Sequence, residues 1–103
     1  MDKREAEIKA KEYVKEARGR IAFDKAVLFG SFQSGQPEKG SDIDIGLFVD
    51  KLDESVDYLN LMAELYHVAA GIDARIESHL FIREEDDSGF AELIEKSGMV
   101  LTN

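Results

Sequence analysis

The sequence of 103 residues contains no cysteine and one proline. Without cysteine, neither a disulfide framework nor a thiolate zinc site can form, which is compatible with a cytoplasmic protein. Residues 1–13 are mostly charged and lack the apolar stretch of a signal peptide, and no apolar run reaches the length of a membrane span. We therefore expect a cytoplasmic protein without a membrane segment.

Basic residues are also scarce. The chain has 13 Lys and Arg against 22 Asp and Glu, which gives a net charge of −9. Direct binding of nucleic acid needs a basic surface, so this balance argues against it. An acidic chain suits a divalent cation or a basic protein partner instead. At this length we expect residues 1–103 to form one domain, with one sheet and helices packed on it.

A loop rich in glycine and serine lies between two apolar segments, residues 26–29 and 43–49, that read as strands. Because strand side chains alternate between the two faces of a sheet, Asp42 and Asp44 point the same way, and the isoleucines beside them enter the core. Two carboxylates on one face repel each other unless a cation lies between them. Hard oxygen ligands of this kind suit Mg²⁺ or Mn²⁺.

Gly30 and Ser31 follow the first of these strands. Glycine lets the backbone turn sharply, so that amide N–H groups and the Ser31 hydroxyl point at an anion. One helical turn after Ser31 would add its amides and dipole to such a cradle. A phosphate cradle beside a metal-binding acid pair indicates metal-assisted phosphoryl or nucleotidyl transfer.

These residues resemble a known family signature. Gly30-Ser31, then Gly35, then the run from Ser41 to Ile45 with its Asp-x-Asp is similar to the signature of the DNA polymerase beta superfamily of nucleotidyltransferases. The short chain resembles the minimal nucleotidyltransferase (MNT) branch, whose members pair with HEPN-type proteins in toxin–antitoxin modules. The resemblance implies that Asp42 and Asp44 hold metal, and that Gly30, Ser31 and Ser41 bind the nucleotide.

The chain departs from the family pattern in the glycine loop. Many relatives carry an arginine shortly before the second glycine, where this chain has Gln33 and Ser34. The change removes one cation near the phosphates, and Lys39 or Arg75 would have to replace it.

The family also places a third carboxylate on the strand next to the Asp-x-Asp pair. Residues 72–82 read as that strand, and the alternation puts Asp73, Arg75, Glu77 and His79 on one face. The apolar–acid step before Phe81 resembles the family pattern, which favours Glu77 as the third acid and leaves Asp73 as the alternative. A simpler interpretation is a surface ladder of ion pairs, worth little energetically.

The remaining segments complete an α+β prediction with helices on a small mixed sheet. The expected order is α-β-loop-β-α-β-α, with a possible last strand.

The first helix spans residues 2–18. The second starts near residues 53–55 and ends at Gly71, and its predicted apolar face consists of Val56, Leu59, Met62, Ala63, Tyr66, Ala69 and Ala70. Residues 83–88 form a polar connection that ends in a helix cap. The last helix packs through Phe90, Leu93 and Ile94 and ends at Gly98, and residues 99–101 form the last strand.

The resemblance implies transfer of AMP from ATP to a hydroxyl of a partner protein, with Mg²⁺ or Mn²⁺ as cofactor. The acceptor would be a HEPN-type helical toxin, and this protein would be its antitoxin. The alternative is a non-catalytic antitoxin or nucleotide-binding module that acts by contact with such a partner. Transfer to a small molecule such as an aminoglycoside has no support in the sequence, which shows no evident acceptor pocket.

Overall fold

A computed structural model of the protein describes residues 3–30 and 42–102. The helices of this α+β fold are α1 (Lys3–Ala17), α2 (Tyr58–Ile72) and α3 (Phe90–Ser97). The strands are β1 (Lys25–Phe29), β2 (Ile43–Val49), β3 (Ile76–Ile82) and β4 (Met99–Val100), and a short 3₁₀ helix spans Arg83–Glu85. The α+β class and the mixed sheet predicted from the sequence are confirmed, including the short last strand. Within these residues, no helix is both long enough and apolar enough to cross a membrane.

The four strands form one sheet in the order β3-β2-β1-β4. β1 is antiparallel to β2 and to β4, whereas β2 and β3 run parallel. Parallel neighbours need a long crossover connection, and α2 supplies it. β2 therefore lies between two partners, and Ile43, Ile45 and Leu47 on it are fully buried.

The two faces of the sheet are covered unequally. Helices α1 and α2 pack on the face that carries Ile43, Ile45 and Leu47 and form the larger core with them. Helix α3 has eight residues and packs on the opposite face, against Val27, Phe29 and Phe48. The acids of β2 and β3 lie at the other end of this second face. The side chains of Asp44 and Glu77 there remain 23% and 55% exposed.

Helix α2 begins later than the sequence pattern predicts. Asp53 accepts a hydrogen bond from the backbone N–H of Ser55 and so forms a local turn, whereas Asp57 caps the helix by accepting from the N–H of Asn60. The predicted apolar face is also wrong in part, because Leu59 and Tyr66 are 80% and 68% exposed. The buried positions of α2 are Leu61, Leu65 and Ala69.

The junction between α2 and β3 differs from the prediction as well. The helix continues one residue past Gly71 to Ile72, and the strand begins at Ile76 rather than at residue 72. The cause is Asp73, whose side chain accepts the backbone N–H of Arg75 and holds residues 73–75 in a turn.

Helix α3 is capped from the preceding segment. The carboxylate of Asp86 accepts the backbone N–H groups of Ala91 and Glu92, which places negative charge where the helix dipole is positive. The predicted packing of this helix is correct for Ile94, which is buried, and wrong for Phe90 and Leu93, which are 50% and 60% exposed.

Arg83 connects four parts of the fold at the end of the sheet away from the acids. Its guanidinium donates to Asp24, Asp50 and Glu95 at 2.8 to 3.0 Å and lies over the ring of Phe48. The hydrogen bonds with Arg83 lower the pKa of Asp24 and of Glu95 below their usual range. One planar cation therefore bridges three carboxylates and reduces the repulsion between them.

Replacing Arg83 with methionine should lower the free energy of unfolding by about 1–3 kcal/mol, because the three carboxylates lose their shared donor. Urea denaturation at pH 7 measures this change. Lys96→Met is the matched control, since Lys96 pairs only with Glu92 on the exposed surface of α3 in the described structure, and it should change stability by no more than about 0.5 kcal/mol. Equal losses in the two variants would contradict the role assigned to Arg83.

Candidate metal centre

The pairing of β2 with both neighbours determines what surrounds Asp44. In the register of the sheet, Asp44 lies opposite Phe29 of β1 on one side and opposite Glu77 of β3 on the other. Paired residues on adjacent strands project to the same face of a sheet. The strand alternation that turns Ile43 and Ile45 into the core therefore brings Asp44 and Glu77 together on the opposite face.

A histidine completes this group. The Nε2 atom of His79 lies 3.2 Å from Oδ1 of Asp44 and 3.9 Å from Oε1 of Glu77. One potential ligand atom from each of the three residues lies within 4.8 Å of the others. The carboxylate and imidazole donors are of the types that bind divalent ions such as Mg²⁺, Mn²⁺ or Zn²⁺. The donor set therefore fits a divalent cation.

Asp42 adds a fourth polar group beside Glu77. Partial burial raises the pKa of the Glu77 carboxyl above its usual value, and so do a hydrogen bond with Asp42 and the charges of Asp42 and Asp44, whereas His79 lowers it. The contributions of Asp42 and Asp44 to this pKa show that negative charge is crowded around Glu77. A bound cation would relieve the same repulsion that a proton relieves.

Gly30 borders this group at the end of β1. Its backbone has φ +79°, and a Cβ atom added to it would lie 2.5 Å from Oδ2 of Asp44. A side chain at position 30 is thus disfavoured twice, by the left-handed backbone and by the carboxylate. Gly30 is the predicted start of the phosphate cradle, and the structure places it directly against Asp44.

Two other predicted nucleotide-binding residues, Ser31 and Ser41, lie outside the described residues. The same holds for the loop positions Gln33, Ser34 and Lys39. Their roles remain predictions from the family resemblance.

The structure separates the two candidates for the third acid. Glu77 faces Asp44, whereas Asp73 lies at the end of α2, where Arg75 donates to both of its carboxylate oxygens at 2.9 and 3.0 Å and Lys9 lies 3.7 Å away. Asp73 and Arg75 are not in β3, so the predicted strand face that included them is wrong. The guanidinium of Arg75 is already held by Asp73.

A cleft of about 380 Å³ adjoins the acids on the side of α2. Asp42, Arg75 and Glu77 line it together with the side chains of Met62 and Tyr66. A larger cleft, of about 490 Å³, lies near the opposite end of β3, beside Ile82, and none of the acids lines it. The smaller cleft is therefore the one connected with the candidate centre.

His79 is the residue of the centre to which the sequence pattern assigned no role. Alternation along the strand put it on the face of Glu77, but a single histidine carries no motif. The signal that identifies it is the register, in which His79 lies opposite Gly46, two residues after Asp44.

Comparison with protein families gives one match over nearly the whole chain. The family described as "Polymerase beta, Nucleotidyltransferase" matches residues 9–103. The chain belongs to this nucleotidyltransferase family, which confirms the family inferred from its glycine–serine and Asp-x-Asp signature. Among curated proteins, no sequence matches it significantly.

Several solved structures share the fold. A mutant of the toxin–antitoxin MntA-HpeT is 21% identical with a TM-score of 0.65, and the match covers 91% of this chain and 73% of that chain. A toxin–antitoxin with AMP-PNP is 22% identical with a TM-score of 0.64, over 90% and 73% of the two chains. A tri-AMPylated Shewanella oneidensis HEPN toxin in complex with MNT antitoxin gives 20% identity and a TM-score of 0.61, over 95% and 72%. At these identities the likeness concerns the fold.

Replacing Gly30 with alanine should distort the candidate centre. Gly89→Ala is the matched control, because Gly89 has the same φ of +79° and no neighbour within 4 Å of an added Cβ. We expect the control to lose about 1 kcal/mol of unfolding free energy from backbone strain alone. Gly30→Ala should lose more, because Asp44 must also move. Equal losses in thermal or urea unfolding would contradict the close contact.

The Asp73–Arg75 pair should make stability depend on pH in the acid range. Hydrogen bonds from Arg75 lower the pKa of Asp73 from 3.8 to about 2. A depressed folded-state pKa stabilises the protein above the unfolded pKa, and this contribution is lost as the pH falls through the folded value. Asp73→Asn should therefore be less stable by about 1–2 kcal/mol at pH 5 to 7, and the difference should shrink below pH 4. Unfolding free energies across pH 2–7 measure it, and a difference independent of pH would contradict the assignment.

Proposed function

We propose that this protein is a metal-dependent nucleotidyltransferase of the minimal (MNT) branch, which moves AMP from ATP to a hydroxyl of a partner protein. The observation that supports this most strongly is the convergence of Asp44 from β2 and Glu77 from β3, with Asp42 beside Glu77 and the Gly30 turn against Asp44. The partner is a HEPN-type toxin, and this protein is the antitoxin that modifies it in the cytoplasm.

The three acids have distinct parts in this proposal. Asp42 and Asp44 would hold one Mg²⁺ or Mn²⁺, and both acids with Glu77 would hold a second. When bound, such ions neutralise phosphate charge and lower the pKa of an attacking hydroxyl. Gly30, Ser31 and Ser41 bind the phosphates through backbone N–H groups and hydroxyls.

The reaction is a substitution at the α-phosphorus of ATP. The hydroxyl oxygen of the acceptor forms a bond to this phosphorus, and the bond from the phosphorus to the bridging oxygen breaks, so pyrophosphate leaves. Glu77 accepts the hydroxyl proton.

The acceptor reaches Glu77 through the cleft between β3 and α2. The cleft is bordered by Tyr66 and Met62, and Tyr66 is 68% exposed, so another protein surface can contact it. A hydroxyl side chain, tyrosine by the family resemblance, would enter beside Asp42 and Glu77. The net charge of −9 favours a basic partner surface.

The solved structures of the same fold support the choice of nucleotide and acceptor. One is a toxin–antitoxin with AMP-PNP, and another contains a tri-AMPylated HEPN toxin with its MNT antitoxin. In the MntA-HpeT mutant, two aspartates two positions apart are changed to glutamate, which is the spacing of Asp42 and Asp44 here.

A second candidate function is an antitoxin or nucleotide-binding module that acts by contact alone. The observation that favours it is the loop sequence, with Gln33 and Ser34 where many relatives have an arginine. Neutralisation of the partner would then depend on the surface of this protein and would not require the acids of the candidate centre.

Asp44→Asn should abolish transfer while leaving the fold intact. Labelled ATP with Mg²⁺ and the cognate partner should give labelled partner with the wild-type protein and at least about 100-fold less with the variant, because a ligand of both ions loses its charge. Asp53→Asn, which makes the same change in an exposed loop turn, is the matched control and should transfer normally. Full activity of Asp44→Asn would remove the metal assignment.

The double variant Asp42→Asn, Asp44→Asn distinguishes catalysis from contact. If the protein acts by transfer, the variant binds the partner and fails to neutralise it. If the variant neutralises as well as the wild type, contact is sufficient and the enzyme proposal is wrong. The enzyme proposal would also be wrong if the wild-type protein labelled no protein and no small hydroxyl compound.

A further inference from the structure

His79 lies inside the centre, although the family resemblance gives the metal only carboxylates. Its Nε2 atom is 3.2 Å from Oδ1 of Asp44 and 3.9 Å from Oε1 of Glu77. Of the histidines in the described structure, only His79 contributes a ligand atom to this group.

The imidazole is held in place by aromatic rings. Its centroid lies 5.0 Å from that of Phe29 and 6.0 Å from that of Phe81, and its plane is within 7° of the Phe81 ring. Gly46 lies opposite His79 in the sheet, and a Cβ there would meet the Phe81 ring at 2.7 Å. The missing side chain therefore leaves room for the ring stack that directs Nε2 toward the acids.

The distances agree with shared coordination. Ligand atoms about 2.1 Å from an octahedral ion lie about 3 Å apart at adjacent positions. The 3.2 Å between His79 and Asp44 already has this value. The 3.9 Å to Glu77 needs a shift of under about 1 Å in a side chain that is 55% exposed.

We propose that Nε2 of His79 is a ligand of the divalent ion, together with Asp44 and Glu77, and that the centre therefore prefers Mn²⁺ to Mg²⁺. Mn²⁺ binds carboxylates as Mg²⁺ does, but it is the softer ion and accepts an imidazole nitrogen among them more readily, whereas Mg²⁺ prefers oxygen ligands alone. The inference rests on the proposed metal-dependent function and adds the nature of the ion. In the competing arrangement, His79 only donates a hydrogen bond to Asp44, and the ion contacts oxygen atoms.

Electron spin-echo spectroscopy of bound Mn²⁺ separates these arrangements, because a coordinated imidazole gives ¹⁴N modulation. The chain has two histidines, and the other, His67, lies on α2 beside residues of α1, so His67→Gln is the matched control. In protein freed of any tag, wild type and His67→Gln should show ¹⁴N modulation, and His79→Gln should not. The wild-type and His67→Gln spectra decide the question even if His79→Gln fails to fold.

Calorimetric titration with Mn²⁺ and with Mg²⁺ gives a second readout. In His79→Gln the Kd for Mn²⁺ should rise at least about tenfold, and the Kd for Mg²⁺ should change less than about threefold. Wild-type protein that binds Mn²⁺ without ¹⁴N modulation, or His79→Gln that retains it, would overturn the proposal. An absence of binding for both ions would overturn the proposed function as well, whereas ¹⁴N modulation without AMP transfer would contradict the function alone.

Discussion

The parallel pairing of β2 with β3 is the interaction on which the candidate centre depends. It places Asp44 opposite Glu77 and Gly46 opposite His79, and so brings the side chains of Asp44, Glu77 and His79 to one face. A shift of one residue would send the acids to the side of α1 and α2, where the core has no room for charge. The buried residues Ile43, Ile45 and Leu47 oppose that shift because it would expose them. Core packing therefore fixes the geometry of the acids.

This arrangement has a cost in electrostatic repulsion. Burial and two neighbouring acids raise the pKa of Glu77, which means that its ionised form is less favourable in the folded protein than in the unfolded chain. Two other groups of acids are paired with a guanidinium: Arg83 lies between Asp24, Asp50 and Glu95, and Arg75 binds Asp73. In the described part of the centre, the one potential ligand that is not a carboxylate is the imidazole of His79. Asp44 and Glu77 have no guanidinium partner in the described structure, and their clustered carboxylates suit a metal ion.

The sequence predicted the parts of the structure that depend on local alternation. The strand around Asp44, the opposite orientations of its neighbours and the fold class all follow from a period of two and from the order of elements. Prediction from the sequence was wrong where several side chains could have the same role. The start of α2 offers three residues of the N-cap type, Asp53, Ser55 and Asp57. The hydrogen bond from the N–H of Asn60 shows that Asp57 is the cap. Asp73 also fits the strand alternation. In the folded chain, however, its side chain accepts the N–H of Arg75 and forms a turn before the strand. The position of His79 in the centre could not be predicted because it depends on the register between β2 and β3, which no local pattern specifies.

The most direct test of the centre is anomalous diffraction from crystals of the protein soaked in Mn²⁺. If the acids of β2 and β3 share an ion, an anomalous peak should lie within about 2.5 Å of a carboxylate oxygen of both Asp44 and Glu77. Crystals in which the two carboxylates turn apart, or in which the only anomalous peaks lie elsewhere on the surface, would contradict the assignment of this site as a metal centre.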